Sequence, residues 1–136
     1  MKFKLALAGA LLTLGLTAPA SAHTSYNPGW HSWDLLGTRV VSRHAERDVV
    51  PAYGHRQYRQ IKICAYQRPI RFYDLDVRFQ NGGRQDLAVR AVLNPGQCTR
   101  AIDLRGYRRD IRFVSMAYET LGRGHGRRAF VRVYAR

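Results

Sequence analysis

The sequence predicts an all-β protein, an antiparallel β-sandwich of about eight strands in a jelly-roll-like order, and three observations predict it. From Trp33 onward, apolar and polar side chains alternate with a period of two, the repeat of strands that bury one face. Turn-forming clusters interrupt the alternation roughly every 8–14 residues. No 3.6-residue apolar repeat is sustained after the first segment, so a helix would have no face to bury. Many short strands between Gly- and Pro-rich turns point to a sandwich, with a partly closed barrel as the alternative closure.

Residues 1–22 stand apart from this pattern. Lys2 and Lys4 precede an apolar run from Leu5 to Leu16, and Ala20-Ser21-Ala22 ends it with small residues. That is the layout of a secretory signal peptide, too short and wrongly flanked for a spanning helix. Cleavage is expected after Ala22, which places the mature protein in the periplasm or outside the cell. Residues 23–32, with Pro28 and Gly29, have no periodicity and read as a loose leader. Residues 33–136 then form one domain, with no further segment apolar enough to span a membrane.

Along that domain, Trp33–Val41 gives a first strand and Asp48–Val50 a short second one ending at Pro51. Gln57–Tyr66 is expected as one strand, with Ile61, Ile63 and Ala65 on one face and Lys62, Cys64 and Tyr66 on the other. In Ile70–Gln80 the apolar positions change phase, from Ile70 and Phe72 to Leu75, Val77 and Phe79. A strict period of two cannot hold across that change, so a β-bulge is expected at Tyr73-Asp74. Asn81-Gly82-Gly83 is a tight turn, with positive φ open to both glycines. Gln85–Leu93 alternates through Leu87, Val89 and Ala91, and Asn94-Pro95-Gly96 turns the chain again. Cys98–Leu104 and Ile111–Tyr118 follow, the latter with a second slip at Phe113-Val114. Gly122–Gly126 is a loop, and Ala129–Ala135 closes the domain with Val131 and Val133 inward.

The two cysteines, Cys64 and Cys98, are expected to pair as a disulfide, because an exported domain meets an oxidising compartment. Neither lies in a C-x-x-C or beside a histidine, so no local group activates a thiol.

Charge is the largest compositional departure. The chain holds 23 basic and 9 acidic residues, a net of +14. A leader containing Lys2 and Lys4 removes two of the 23, leaving 21 against 9, or +12. Twenty of those 21 are arginines, the exception being Lys62. A GC-rich genome inflates arginine without selecting any ligand; a selected arginine points to bidentate contacts with phosphate or carboxylate. Arg71, Arg78, Arg90, Arg112 and Arg132 are expected side by side across one sheet face, with Arg108 and Arg109 as a loop cluster. Tyrosines interleave with these arginines, and ring faces beside guanidinium groups bind sugars or bases by stacking.

The order of several motifs resembles a known family. Leu35-Leu36-Gly37 opens the domain, and Ile61-Lys62-Ile63 is followed by Val77-Arg78-Phe79. Pro95-Gly96-Gln97 leads to Ile102-Asp103-Leu104, then Ile111-Arg112-Phe113 and a closing Val131-Arg132-Val133. This resembles the YaaI-like family of small exported bacterial proteins, over roughly residues 35–135. The resemblance implies an exported β-domain of unknown function and carries no activity, ligand or catalytic residue. Cys64 and Cys98 lie outside it.

No catalytic constellation stands out. Ser25, Ser32, Ser42 and Ser115 lie outside any G-x-S-x-G turn. Asp74 and Asp76 share a face, which acid–base work could use, but the neighbouring Arg71, Arg78 and Arg84 explain them as ion pairs. The protein is therefore expected to be non-catalytic and without a cofactor. Its expected role is an exported binding or envelope-associated module for polyanions: lipopolysaccharide, an acidic glycan or extracellular nucleic acid. Two alternatives stand beside it. Cleavage after Ala22 would free the amine of His23, which with a second imidazole such as His31 could chelate copper. A small disulfide-linked β-domain could also inhibit an extracellular hydrolase.

Overall fold

The structure is a computed structural model that describes residues 32–42, 46–122 and 126–136. The expected signal peptide at 1–22, most of the leader, and His23, His31, His44 and His125 lie outside the described residues.

All regular elements of the described residues are strands. They are β1 (Asp34–Val40), β2 (Glu46–Pro51), β3 (Gln57–Tyr58), β4 (Gln60–Tyr66), β5 (Ile70–Phe79), β6 (Arg84–Asp86), β7 (Val92–Leu93), β8 (Ile102–Asp103), β9 (Arg109–Thr120) and β10 (Phe130–Ala135). Sheet A has the order β1-β10-β4-β8 and sheet B the order β2-β9-β5-β6, with β3 on β9 and β7 on β5. Every pairing is antiparallel. First strand pairs with last in one sheet, and second with second-last in the other. This is the order of an eight-stranded jelly roll with two short added strands.

The core lies between the sheets, where the alternation puts it. Ile61, Ile63 and Ala65 of β4 and Val131, Val133 and Ala135 of β10 are fully buried. They meet Phe72, Leu75 and Val77 of β5 and Ile111, Val114 and Met116 of β9. At one edge the sheets come so close that a Cβ on Gly37 would lie 2.6 Å from Val50 Cγ1. Glycine is required there by packing, since any side chain would push β2 away from β1.

The expected bulge in β5 is present. Phe72 pairs with Tyr118 and Asp74 with Ala117, which leaves Tyr73 as the extra residue. The slip in β9 also exists, one residue earlier than expected: Arg78 pairs with Phe113 and Phe79 with Ile111, so Arg112 is the extra residue. Each bulge lets one long strand keep apolar side chains inward on both sides of the phase change.

Three expected strands are shorter than their alternation suggested. Gln57–Tyr66 breaks at Arg59, because the chain there passes from sheet B, through β3, to sheet A, through β4. Gln85–Leu93 is reduced to β6 and β7. β6 pairs with β5 at Asp76–Arg78 and β7 at Ile70-Arg71, so the gap faces the Tyr73 bulge, where the ladder cannot continue. Leu87 keeps a backbone bond to Leu75 O at 2.8 Å, and Ala88 turns with φ 49°. Cys98–Leu104 is reduced to one bridge at Cys98 and the two residues of β8. At Asn94-Pro95-Gly96-Gln97, Gly96 takes φ 82° and Gln97 N bonds Asn94 O at 2.9 Å, the type II turn that Pro-Gly favours; among Asn81-Gly82-Gly83 only Gly82 uses positive φ.

Cys64 and Cys98 form the expected disulfide, across a separation of 34 residues. They face each other as a cross-strand pair, flanked by Ala65 N to Gln97 O and Thr99 N to Ile63 O, each within 2.9 Å. The bond ties the loop before β8 to the solvent side of sheet A. No helix among the described residues is long and apolar enough to cross a membrane.

Candidate functional site

The arginines expected on one face are divided between the two sheets. Arg71 and Arg78 of β5 and Arg112 of β9 lie on the solvent side of sheet B, while Arg132 of β10 lies on the solvent side of sheet A. Arg90 is exposed in the segment between β6 and β7. Arg108 is exposed before β9, 6.0 Å from the Tyr107 ring. Arg109 is a structural clamp: it stacks on Phe79 at 3.6 Å, donates to Arg105 O at 2.7 Å and reaches Asn81 Oδ1 at 3.3 Å. The correction follows from topology. Alternation gives the parity of a residue within its strand but not the sheet that the strand joins.

On sheet B three arginines, Arg47, Arg71 and Arg84, meet carboxylates, while Arg78 and Arg112 form no ion pair among the described residues. Arg84 grips Asp76 with two bonds of 2.8 Å, and Asp76 is only 4% exposed. That fork satisfies a buried charge that would otherwise be costly. Arg47 pairs with Asp74 at 3.3 Å and Arg71 with Glu119 at 3.5 Å, while the Tyr73 hydroxyl also donates to Glu119. Carboxylate oxygens of Asp74, Asp76 and Asp86 lie within 4.8 Å of one another. Two of these acids face arginines, and Asp86 accepts the Ala88 amide at 3.0 Å, so the trio is an ion-paired cluster.

On sheet A the cations meet aromatic rings. Cross-strand register sets Phe130 beside Tyr66, Arg132 beside Cys64 and Tyr134 beside Lys62. Tyr66 and Phe130 stack at 4.9 Å, and the Arg132 guanidinium lies 5.0 Å and 5.3 Å from their centroids. Lys62 Nζ sits 4.4 Å from the Trp33 ring and 5.5 Å from that of Tyr134. Arg136 sits 4.6 Å from Trp33 and donates from Nε to Gln60 Oε1 at 2.8 Å. Among the described residues, none of Lys62, Arg132 and Arg136 forms an ion pair with a carboxylate. The Arg132 Nε is buried and lacks a hydrogen-bond partner.

The tyrosines are tied into this layer. The Tyr66 and Tyr134 hydroxyls share a hydrogen bond of 3.2 Å. That bond pushes Tyr66 above the ordinary phenol value and Tyr134 below it, with Arg132 and Lys62 adding to the lowering at Tyr134. Leu35 and Val40, paired with Tyr134 and Phe130, are 51% and 56% exposed, so the same face also presents apolar surface. The result is a half-buried plate of alternating rings and cations beside the disulfide. Such a plate can stack sugar rings or bases and attract anions at once.

Sequence reasoning found Arg132 and missed its neighbours. The signal was present in Phe130-Val131-Arg132-Val133-Tyr134, where the residues that alternate with the valines are aromatic, basic and aromatic. Adding Lys62 and Tyr66 required knowing that β4 lies next to β10.

The family described as "Domain of unknown function (DUF2541)" matches residues 6–135 of the chain. No curated protein and no solved structure matches it.

Proposed function

We propose that this chain, which belongs to the DUF2541 family, is an exported, non-catalytic binding module whose sheet A face engages a polyanion, an acidic polysaccharide. The observation that carries the reading is the set of Lys62, Arg132 and Arg136, placed over rings and left without carboxylate partners among the described residues. An acidic glycan suits both parts of the plate: its carboxylates meet the cations and its sugar rings stack on Trp33, Tyr66 and Tyr134. Export is supported by the leader pattern of residues 1–22 and by the Cys64–Cys98 disulfide, which persists in an oxidising compartment. The finer identity as a YaaI-like protein belongs to the same proposal and rests on the hydrophobic motifs and the Pro95-Gly96 turn. The copper and inhibitor readings have no observation favouring them.

The test is binding of the purified protein to an immobilised uronate polysaccharide at two salt concentrations. A neutral glycan, lipid A vesicles and single-stranded DNA serve as the other arms. The expected result is binding to the uronate that weakens steeply with salt, because each neutralised anionic group releases counterions. Binding that ignores salt, or that survives unchanged in Arg132→Gln, would overturn the reading. Preference for the vesicles or the DNA would replace the glycan as ligand.

A further inference from the structure

A second cationic region lies at the end of the sandwich where β1 and β9 finish, β2 and β10 begin and the β4–β5 turn passes, adjoining the Val40–Phe130 end of the sheet A plate. A cavity of about 630 Å³ opens there, within the size range of small-molecule sites. Its lining includes Arg39, Arg68, Arg127 and Arg128, against two acids, Glu46 and Asp48.

Both acids are already engaged by neutral donors. The Ser42 amide bonds Glu46 Oε1 at 2.7 Å, and the buried Tyr118 hydroxyl donates to Asp48 Oδ2 at 2.5 Å. Among the described residues, no lining arginine forms an ion pair with either acid. Two of the arginines are held in place by backbone. Arg39, on β1 of sheet A, donates from Nε to Val49 O on β2 of sheet B at 2.9 Å, so its guanidinium bridges the two sheets. Arg68 donates to Leu121 O at 3.1 Å and Gly122 O at 2.6 Å. Each guanidinium carries five donors, so both keep N–H groups without an acceptor among the described residues.

We infer that this cavity binds a small phosphorylated molecule of sugar-phosphate size, its phosphoryl oxygens taken by Arg39, Arg68 and Arg128 and its hydroxyls by the Glu46 and Asp48 carboxylates. A phosphoryl group fits better than a carboxylate. It presents three acceptor oxygens to several guanidinium groups, and because four arginines outnumber two acids in the lining, a near-dianion gains more from the net positive charge than a carboxylate does. The volume exceeds what a bare phosphate fills, and two carboxylate acceptors at the wall suit the hydroxyls of an attached sugar. Positions already fixed by carbonyl contacts reduce the ordering cost of binding.

The experiment is calorimetric titration of the whole purified protein with glucose 6-phosphate at constant ionic strength, with inorganic phosphate, glucose and glucuronate as further arms. Saturable binding of one glucose 6-phosphate is expected, with weaker binding of inorganic phosphate and none of glucose. Arg39→Gln is expected to weaken binding about tenfold or more, the loss of one charge-assisted contact. Because that change also removes the bridge between sheets, Arg128→Gln, at an exposed position, is the second variant, with the same expected loss. Arg71→Gln on sheet B and Arg132→Gln on sheet A should leave the titration unchanged, which separates this site from the glycan face. The inference is overturned by no saturable binding of either phosphorylated probe. Glucuronate matching glucose 6-phosphate, or Arg71→Gln weakening binding as much as Arg128→Gln, also overturns it.

Discussion

On the outer face of sheet B, Asp74, Asp76 and Glu119 each sit against an arginine, whereas on the outer face of sheet A Lys62, Arg132 and Arg136 sit against rings. The two faces therefore use similar charges for opposite ends. Arginines that pair with carboxylates are locally neutral and hold strands together. Cations parked on Trp33, Tyr66, Phe130 and Tyr134 keep an uncompensated field on a flat, partly apolar surface. The difference teaches that net charge does not locate a site. What locates one is a place where cations lack acids and also meet rings or gather around a cavity, and sheet A and the arginine-lined cavity are two such places.

The largest expected effect tests what holds each face. Sheet A carries the disulfide, and its neighbouring edge strand β8 has only two residues. The double variant Cys64→Ala/Cys98→Ala should lose about 3 kcal/mol in denaturant unfolding. An unchanged midpoint would mean that the register of β4 and β10 alone holds the face.

The next contrast is between phenols. Tyr118 of sheet B is fully buried, and burial first, then its bond to Asp48, pushes its ionisation far above the ordinary value of 10.0. A folded-state value raised above the unfolded one means that the folded protein holds its proton longer. The associated stability is therefore complete below pH 10 and falls as pH rises beyond it, by at most about 1.4 kcal/mol per pH unit. Melting temperatures between pH 8 and about 11 should decline steeply in the native protein and less in Tyr118→Phe. Equal slopes would show that the alkaline loss comes from other groups, such as the Tyr66–Tyr134 pair.

A smaller effect separates the faces by ligand. Arg132→Gln should weaken binding to the uronate polysaccharide about tenfold, while Arg71→Gln should change it less than about twofold. Similar losses from both would erase the distinction and return the charge to a diffuse field. The smallest effect is on sheet B itself. Arg47→Gln breaks a pair whose side chains are 58% and 30% exposed, and should lower stability by less than about 1 kcal/mol, read from the unfolding midpoint.

Much of the fold was legible because one-sided burial imposes a period of two. Alternation alone puts Ile61 and Ile63 on one common face and Val131 and Val133 inward, and all four are buried. The Tyr73 bulge was legible because two apolar phases in one strand need one extra residue. The break at Arg59 was not, since Gln57–Tyr66 alternates without interruption although its halves join different sheets. The gap between β6 and β7 was hidden for a related reason: its cause lies in the partner strand. The candidate site was partly legible. Arg132 was named, but its grouping with Arg71, Arg78 and Arg112 failed because solvent-facing parity is the same on either side of a sandwich.

By itself the sequence determined the class of fold, the inward residues, the bulged strand and the excess of arginine. All of these follow from local periodicity and composition, which act within one strand. Tertiary structure alone decided which strands are neighbours, and so which arginines met carboxylates, which met rings and which gathered around the cavity. Strand pairing joins residues as distant as Lys62 and Tyr134, and no local pattern encodes that choice.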